Sequence, residues 1–112
     1  MQIISTPIPI AKLKSMAKKM FGNMVKAVVD IEKGVIALDG ELHADEEALL
    51  LEKGSKQKNL WGINLYSDLK EDWIEFDSII NIRPSMGNKS RSVDDEKIRK
   101  KILSIVDKLI VR

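Results

Sequence analysis

The chain has no cysteine. That single absence removes disulfides, thiolate metal sites, iron–sulfur clusters and thiol nucleophiles, and it fits a reducing cytoplasm. Long apolar runs are also missing: nothing approaches the ~20 residues a membrane span requires, and Met1-Gln-Ile-Ile-Ser-Thr-Pro7 lacks the basic start and apolar stretch of a secretion signal. A soluble, cytoplasmic protein with no membrane partner is expected. Only one histidine is present, His43, so the usual two- and three-histidine catalytic metal centres are excluded. No internal repeat, low-complexity segment, Walker loop or dinucleotide fingerprint is present.

With 112 residues the chain is sized for one domain, spanning residues 1–112, and can bury roughly two thirds of the surface its unfolded form exposes. The net charge of +2 is small, but its distribution is uneven. Residues 1–29 contain Lys12, Lys14, Lys18, Lys19 and Lys26 and no acid, whereas Asp30 to Glu52 has many acids against Lys33 alone. Oppositely charged segments can complement each other within a fold or between copies, so a homo-oligomer is expected. Abundant isoleucine and lysine with little glutamine is a bias seen in thermophiles and in AT-rich genomes.

Gln2-Ile3-Ile4 reads as a first strand closed by Pro7-Ile8-Pro9. A helix follows, with Ile10, Leu13, Ala17, Met20, Phe21 and Met24 on its apolar stripe. Val25, Ala27, Val29 and Ile31 alternate along a strand, Lys33-Gly34 turns into Val35–Leu38, and Asp39-Gly40 signals a second hairpin returning through Glu41–Ala44. Asp45 can cap a short helix over residues 46–53, although Leu49-Leu50-Leu51 also admits a strand. Further strands are expected at Leu60–Tyr66 and Trp73–Ile82, the second with Ile74, Phe76, Ser78, Ile80 and Ile82 inward and Trp73 outward. A last helix runs from an Asp94 cap to about Ile110, with Val93 stapled onto Ile98. The fold class is α+β: an antiparallel sheet of four to five strands, with the N-terminal and C-terminal helices on one face and room for a short central helix.

Two places attract chemical interest. The acid-free run from Asn81 to Ser92 offers Arg83, Lys89 and Arg91 as cations, Asn81, Ser85, Asn88 and Ser90 as hydrogen-bonding groups, and Gly87 as a point of close backbone approach. Such a set suits an anionic small molecule or an acidic protein segment. Against it, Asp94, Asp95 and Glu96 already occupy the start of the following helix. The second place is Glu41, His43 and Asp45, which strand alternation would align on one side as metal ligands or an acid/base pair for a metal-assisted hydrolase or lyase. Glu46-Glu47 reads as a pair of helix-start acids. Nucleic acid is disfavoured because Glu71, Asp72, Glu75 and Asp77 surround the candidate stacking residue Trp73. No cofactor is implied.

At Glu41-Leu-His-Ala-Asp-Glu-Glu47, Asn59-Leu-Trp-Gly-Ile-Asn-Leu-Tyr66 and Ile80-Asn-Ile-Arg-Pro-Ser-Met-Gly-Asn-Lys-Ser90, the chain resembles a family of short uncharacterised bacterial and archaeal proteins, a domain of unknown function. The resemblance covers nearly the whole chain and implies no activity, substrate or catalytic residue. A binding or interaction role is expected ahead of catalysis.

Overall fold

The computed structural model describes all residues, 1–112. Its elements are β1 (Gln2–Ile4), β2 (Ile8–Pro9), α1 (Ile10–Lys19), β3 (Val25–Asp30), β4 (Val35–Leu38), α2 (His43–Glu52), β5 (Leu60–Leu65), β6 (Ile74–Glu75), α3 (Glu96–Leu109) and β7 (Ile110–Val111). Five strands form an antiparallel sheet in the order β1-β4-β3-β5-β6, and β2 pairs in parallel with β7 in a separate two-stranded piece. No helix is long and apolar enough to cross a membrane.

Register assigns the two faces of the sheet. Val29 opposes Ile36 and Trp61, and Ala27 opposes Leu38 and Ile63, so these side chains point together toward α1 and α3. There they join Leu13, Met16, Ala17, Ile102, Val106 and Leu109 in the main core. The other face carries Val28, Ala37 and Leu60, packed with Leu50 of α2 in a smaller cluster. The terminal helices thus share one face, as the periodicity predicts, and the central helix covers the opposite one. α1 stops at Lys19, which leaves Met20 and Phe21 outside its stripe and about 40 % exposed, at 40% and 39%.

The Lys33-Gly34 hairpin forms as read. The buried Asp30 holds it, its Oδ1 accepting the N–H groups of Glu32 and Lys33 at 2.9 Å and its Oδ2 the hydroxyl of Ser55 at 2.7 Å. The second hairpin does not. Asp39 takes a turn conformation, with φ of 67°, but the free edge of β4 is already occupied by β1, and no strand forms over 41–44. The chain instead crosses the second face as α2, which begins at His43 and includes Leu49–Leu51, resolving the helix-or-strand ambiguity of residues 45–53. Asp45 lies in its first turn, and the cap position belongs to Leu42.

The strand expected over Trp73–Ile82 shrinks to Ile74–Glu75. Ile74 and Phe76 do pack on the main core, together with Trp73, whose ring lies 4.5 Å under the Arg112 guanidinium and is half-buried rather than outward-facing. Beyond Glu75 the chain leaves the ladder. Ser78 covers Gly62, where a β-carbon would sit 2.6 Å from the serine side chain, and Ile80 joins the smaller cluster while Ile82 is 43 % exposed. The Asn81 carboxamide then substitutes for a neighbouring strand: it accepts the Gly62 N–H at 2.8 Å and donates to the Gly62 carbonyl at 2.9 Å. At α3 the cap is Asp95, which accepts the Lys97 N–H at 2.8 Å. Asp94, expected there, binds the preceding loop.

Candidate functional site

The acid-free run folds into a small knot of side-chain bonds. Arg83 and Asn88 pair backbone to backbone across the turn Pro84–Met86, which closes on Gly87 with φ of 81°. Asn88 Nδ2 donates to the carbonyls of Asn81, Ser90 and Ser92, and its Oδ1 accepts the Asp94 N–H at 2.7 Å. Asn81 also donates to the Arg91 carbonyl. Both asparagines are buried and hold the loop in shape.

Several groups of the run are engaged within the protein, although the Lys89 ammonium forms no ion pair. The Lys89 N–H and the Ser90 hydroxyl both donate to the Asp94 carboxylate, at 3.2 and 2.7 Å, and Arg91 donates to Asp77 at 2.6 Å. Asp94 therefore sets a carboxylate of the same chain against this loop.

Arg83 turns the other way. Its guanidinium stacks over the Trp61 indole at 4.9 Å and donates from Nη2 to Glu47 of α2 at 3.2 Å. Its side chain is only 10 % exposed. Nε and Nη1 have no hydrogen-bond partner, and neither does Nε1 of the Trp61 indole. Three buried donor nitrogens on two stacked side chains thus lack an acceptor, and a buried donor costs about 1–3 kcal/mol while it stays unpaired. Burial pushes the Arg83 pKa down, opposed by the attraction and hydrogen bond of Glu47. Arg83 lines an open groove of about 460 Å³ with Glu47, Gln57, Lys58, Ser85 and Met86. Ile79, Ile82 and Met86 are 68 %, 43 % and 45 % exposed along it.

The second predicted place comes apart. α2 begins at His43, so His43 and Asp45 lie on different sides of a helix instead of one side of a strand. His43 is buried against the sheet with Nε2 2.8 Å from the Ile63 carbonyl, the arrangement of an Nε2–H donor, and burial lowers its pKa. Glu41 and Asp45 line a separate groove on α2. No three His, Asp or Glu side chains gather closely enough to hold a metal ion.

Glu46 and Glu47 prove to be more than helix-start acids. Glu47 is the partner of Arg83, and Glu46 is completely buried with Oε2 accepting the Gly40 N–H at 3.0 Å. Burial raises the Glu46 pKa to about 9. A helix register starting at His43 would have found it, since His43, Glu46 and Leu50 form the buried stripe of α2. No local pattern marks Trp61 and Glu47 as partners of Arg83, because they come from segments far away in sequence.

Fold and site together define a small α+β domain with a cationic, incompletely hydrogen-bonded pocket between its central helix and a knotted loop. The chain belongs to a family of proteins of unknown function, DUF5674, whose model matches residues 2–109. No curated protein and no solved structure matches it.

Proposed function

We propose that this protein is a non-catalytic binding domain that takes an anionic group, a carboxylate or phosphate, at Arg83. The observation that carries the reading is the pair of acceptor-less nitrogens Arg83 Nε and Nη1, on a nearly buried cation that lines the groove. Oxygens of a bound anion would supply the missing acceptors with charge-assisted bonds. Lys58 adds a second cation to the groove, against the single carboxylate of Glu47. The exposed Ile79, Ile82 and Met86 favour an anion carried on an apolar body, such as a small organic acid or an acidic segment of a partner protein, over a free inorganic ion. They also suit self-association of two copies. Of the predicted loop set, Arg83 and Ser85 line the groove, Asn81 and Asn88 hold the loop in shape, and Gly87, Lys89, Ser90 and Arg91 lie outside the groove lining.

The test uses Trp61 as reporter in a Trp73→Phe background, where it is the last of the two tryptophans. Titration with phosphate, citrate and medium-chain carboxylates should change indole emission saturably. Arg83→Lys should weaken binding at least tenfold, and Glu47→Gln should strengthen it. A signal unaffected by either substitution would refute the assignment.

A further inference from the structure

The groove that contains Glu41 and Asp45 has a chemistry of its own. It measures about 520 Å³, and its α2 wall is made by Asp45, Ala48, Leu49 and Glu52, a stripe at helical spacing about half a turn around α2 from Glu47. Asp39 and Glu41 complete a rim of four carboxylates, and no lysine or arginine lines the space. Between the carboxylates the lining is apolar, from Met1, Met20 and Leu49.

Behind this wall lies a fifth carboxyl group. Glu46 is 0 % exposed; its Oε2 accepts the N–H of Gly40, a lining residue, and its Oε1 has no partner. A β-carbon at Gly40 would meet Glu46 Cγ at 2.7 Å and Met1 Sδ at 3.1 Å. Glycine is therefore required for this approach, and the wall between groove and carboxyl is one residue of bare backbone and the Met1 side chain. A buried carboxyl with one unpartnered oxygen therefore lies one backbone residue away from an acidic groove, a reserve of negative charge that a cation can draw out.

We propose that this groove binds a linear aliphatic diamine or polyamine. A compact divalent ion does not match it, because no three acids converge on one point. An extended cation does: its amines, spaced by methylenes, pair with separated carboxylates, while the methylenes lie on Met1, Met20 and Leu49. Electrostatics supports the same ligand. Burial holds Glu46 protonated at neutral pH, with its pKa at about 9; the Gly40 N–H, Lys26 and the Met1 ammonium oppose that shift and Asp39 adds to it. An ammonium arriving in the groove favours the ionised form, so binding releases a proton from Glu46.

Titration calorimetry of the full chain with spermidine, and with magnesium chloride at matched ionic strength, tests this at pH 8 in two buffers of different ionisation enthalpy. Spermidine is expected to bind saturably, magnesium to give no saturable heat, and the spermidine heat to depend on the buffer in wild type but not in Glu46→Gln. The exposed pair Asp45→Asn/Glu52→Gln should raise the Kd at least tenfold with an unchanged melting temperature. Absence of saturable spermidine binding, an equal affinity for magnesium, or an unchanged Kd in the double variant would each overturn the proposal. Arg83→Lys leaves this site intact, so the outcome is separate from that at the cationic groove.

Discussion

The two faces of the sheet are built on different terms. Toward α1 and α3 the sheet presents a continuous core of 17 buried apolar residues. Toward α2 the apolar cluster has four, Val28, Ala37, Leu50 and Leu60, and the buried groups around them include Asp30, His43, Glu46, Asn64 and Asn81. Burying polar groups costs free energy unless each finds a partner, and on this side several atoms have none, among them Glu46 Oε1 and Asn64 Oδ1. One face supplies the apolar core, and the second carries buried polar groups. Arg83 and Glu46 both belong with that second face, through Glu47 and α2.

The strongest way to break this division is to weaken the apolar face alone. Ile102→Ala, at a fully buried position of α3, should cost about 2–5 kcal/mol by chemical denaturation while leaving the anion titration of the folded protein unchanged. An altered Kd there would mean that the faces are coupled.

A second way is to titrate the polar face. The Glu46 pKa rises from 4.5 to about 9 on folding, so between these values the unfolded chain has lost a proton that the folded one keeps. The Glu46 contribution to stability is therefore full below pH 4.5 and declines as pH rises to 9, at up to about 1.4 kcal/mol per pH unit. Relative to wild type, Glu46→Gln should gain a few kcal/mol between pH 5 and pH 8 in denaturation midpoints. His43 acts in the opposite sense: its pKa is lowered from 6.5 by burial, so its contribution is present above pH 6.5 and lost as pH falls below it. His43→Gln should flatten the acid limb of the same profile.

Asn81→Ala comes next. It strips partners from the Gly62 N–H, the Gly62 carbonyl and the Arg91 carbonyl, for about 2–3 kcal/mol, and should release protection of the Gly62 amide in hydrogen exchange. The smallest effect belongs to Arg91→Ala. Its ion pair with Asp77 is 53 % and 43 % exposed on the two sides, and such pairs contribute about 0–1 kcal/mol. A larger loss, with weakened anion binding, would move the site back to the outer side of the loop.

Local pattern carries much of this architecture. The alternation of Val25–Asp30 and Leu60–Leu65, the turn at Lys33-Gly34, and the helical stripes around Leu13 and Ile102 read directly as β3, β5, the first hairpin, α1 and α3. Features set by competition between distant segments do not read this way. Asp39-Gly40 opens a turn, yet the strand slot it should lead into is taken by residues 2–4. The run after Trp73 has strand composition, but a side-chain amide takes the hydrogen bonds its backbone would have made. Arg83 could be named as a cation of interest from sequence; that Arg91 and Ser90 would be engaged by Asp77 and Asp94 depends on side-chain directions that spacing does not encode.

The short parallel pair of β2 and β7 has a consequence for how the chain is made. Ile8 is matched to Ile110 and Pro9 to Val111; Ile110 belongs to the main core and Ile8 packs against it. Contacts between segments so distant along the chain are slow to form, because loop closure precedes the gain from packing. During synthesis the strand at residues 8–9 must wait until residues 110–111 have left the ribosome. Until then α1 lacks part of its packing, because Ile110 belongs to the same core as Leu13, Met16 and Ala17.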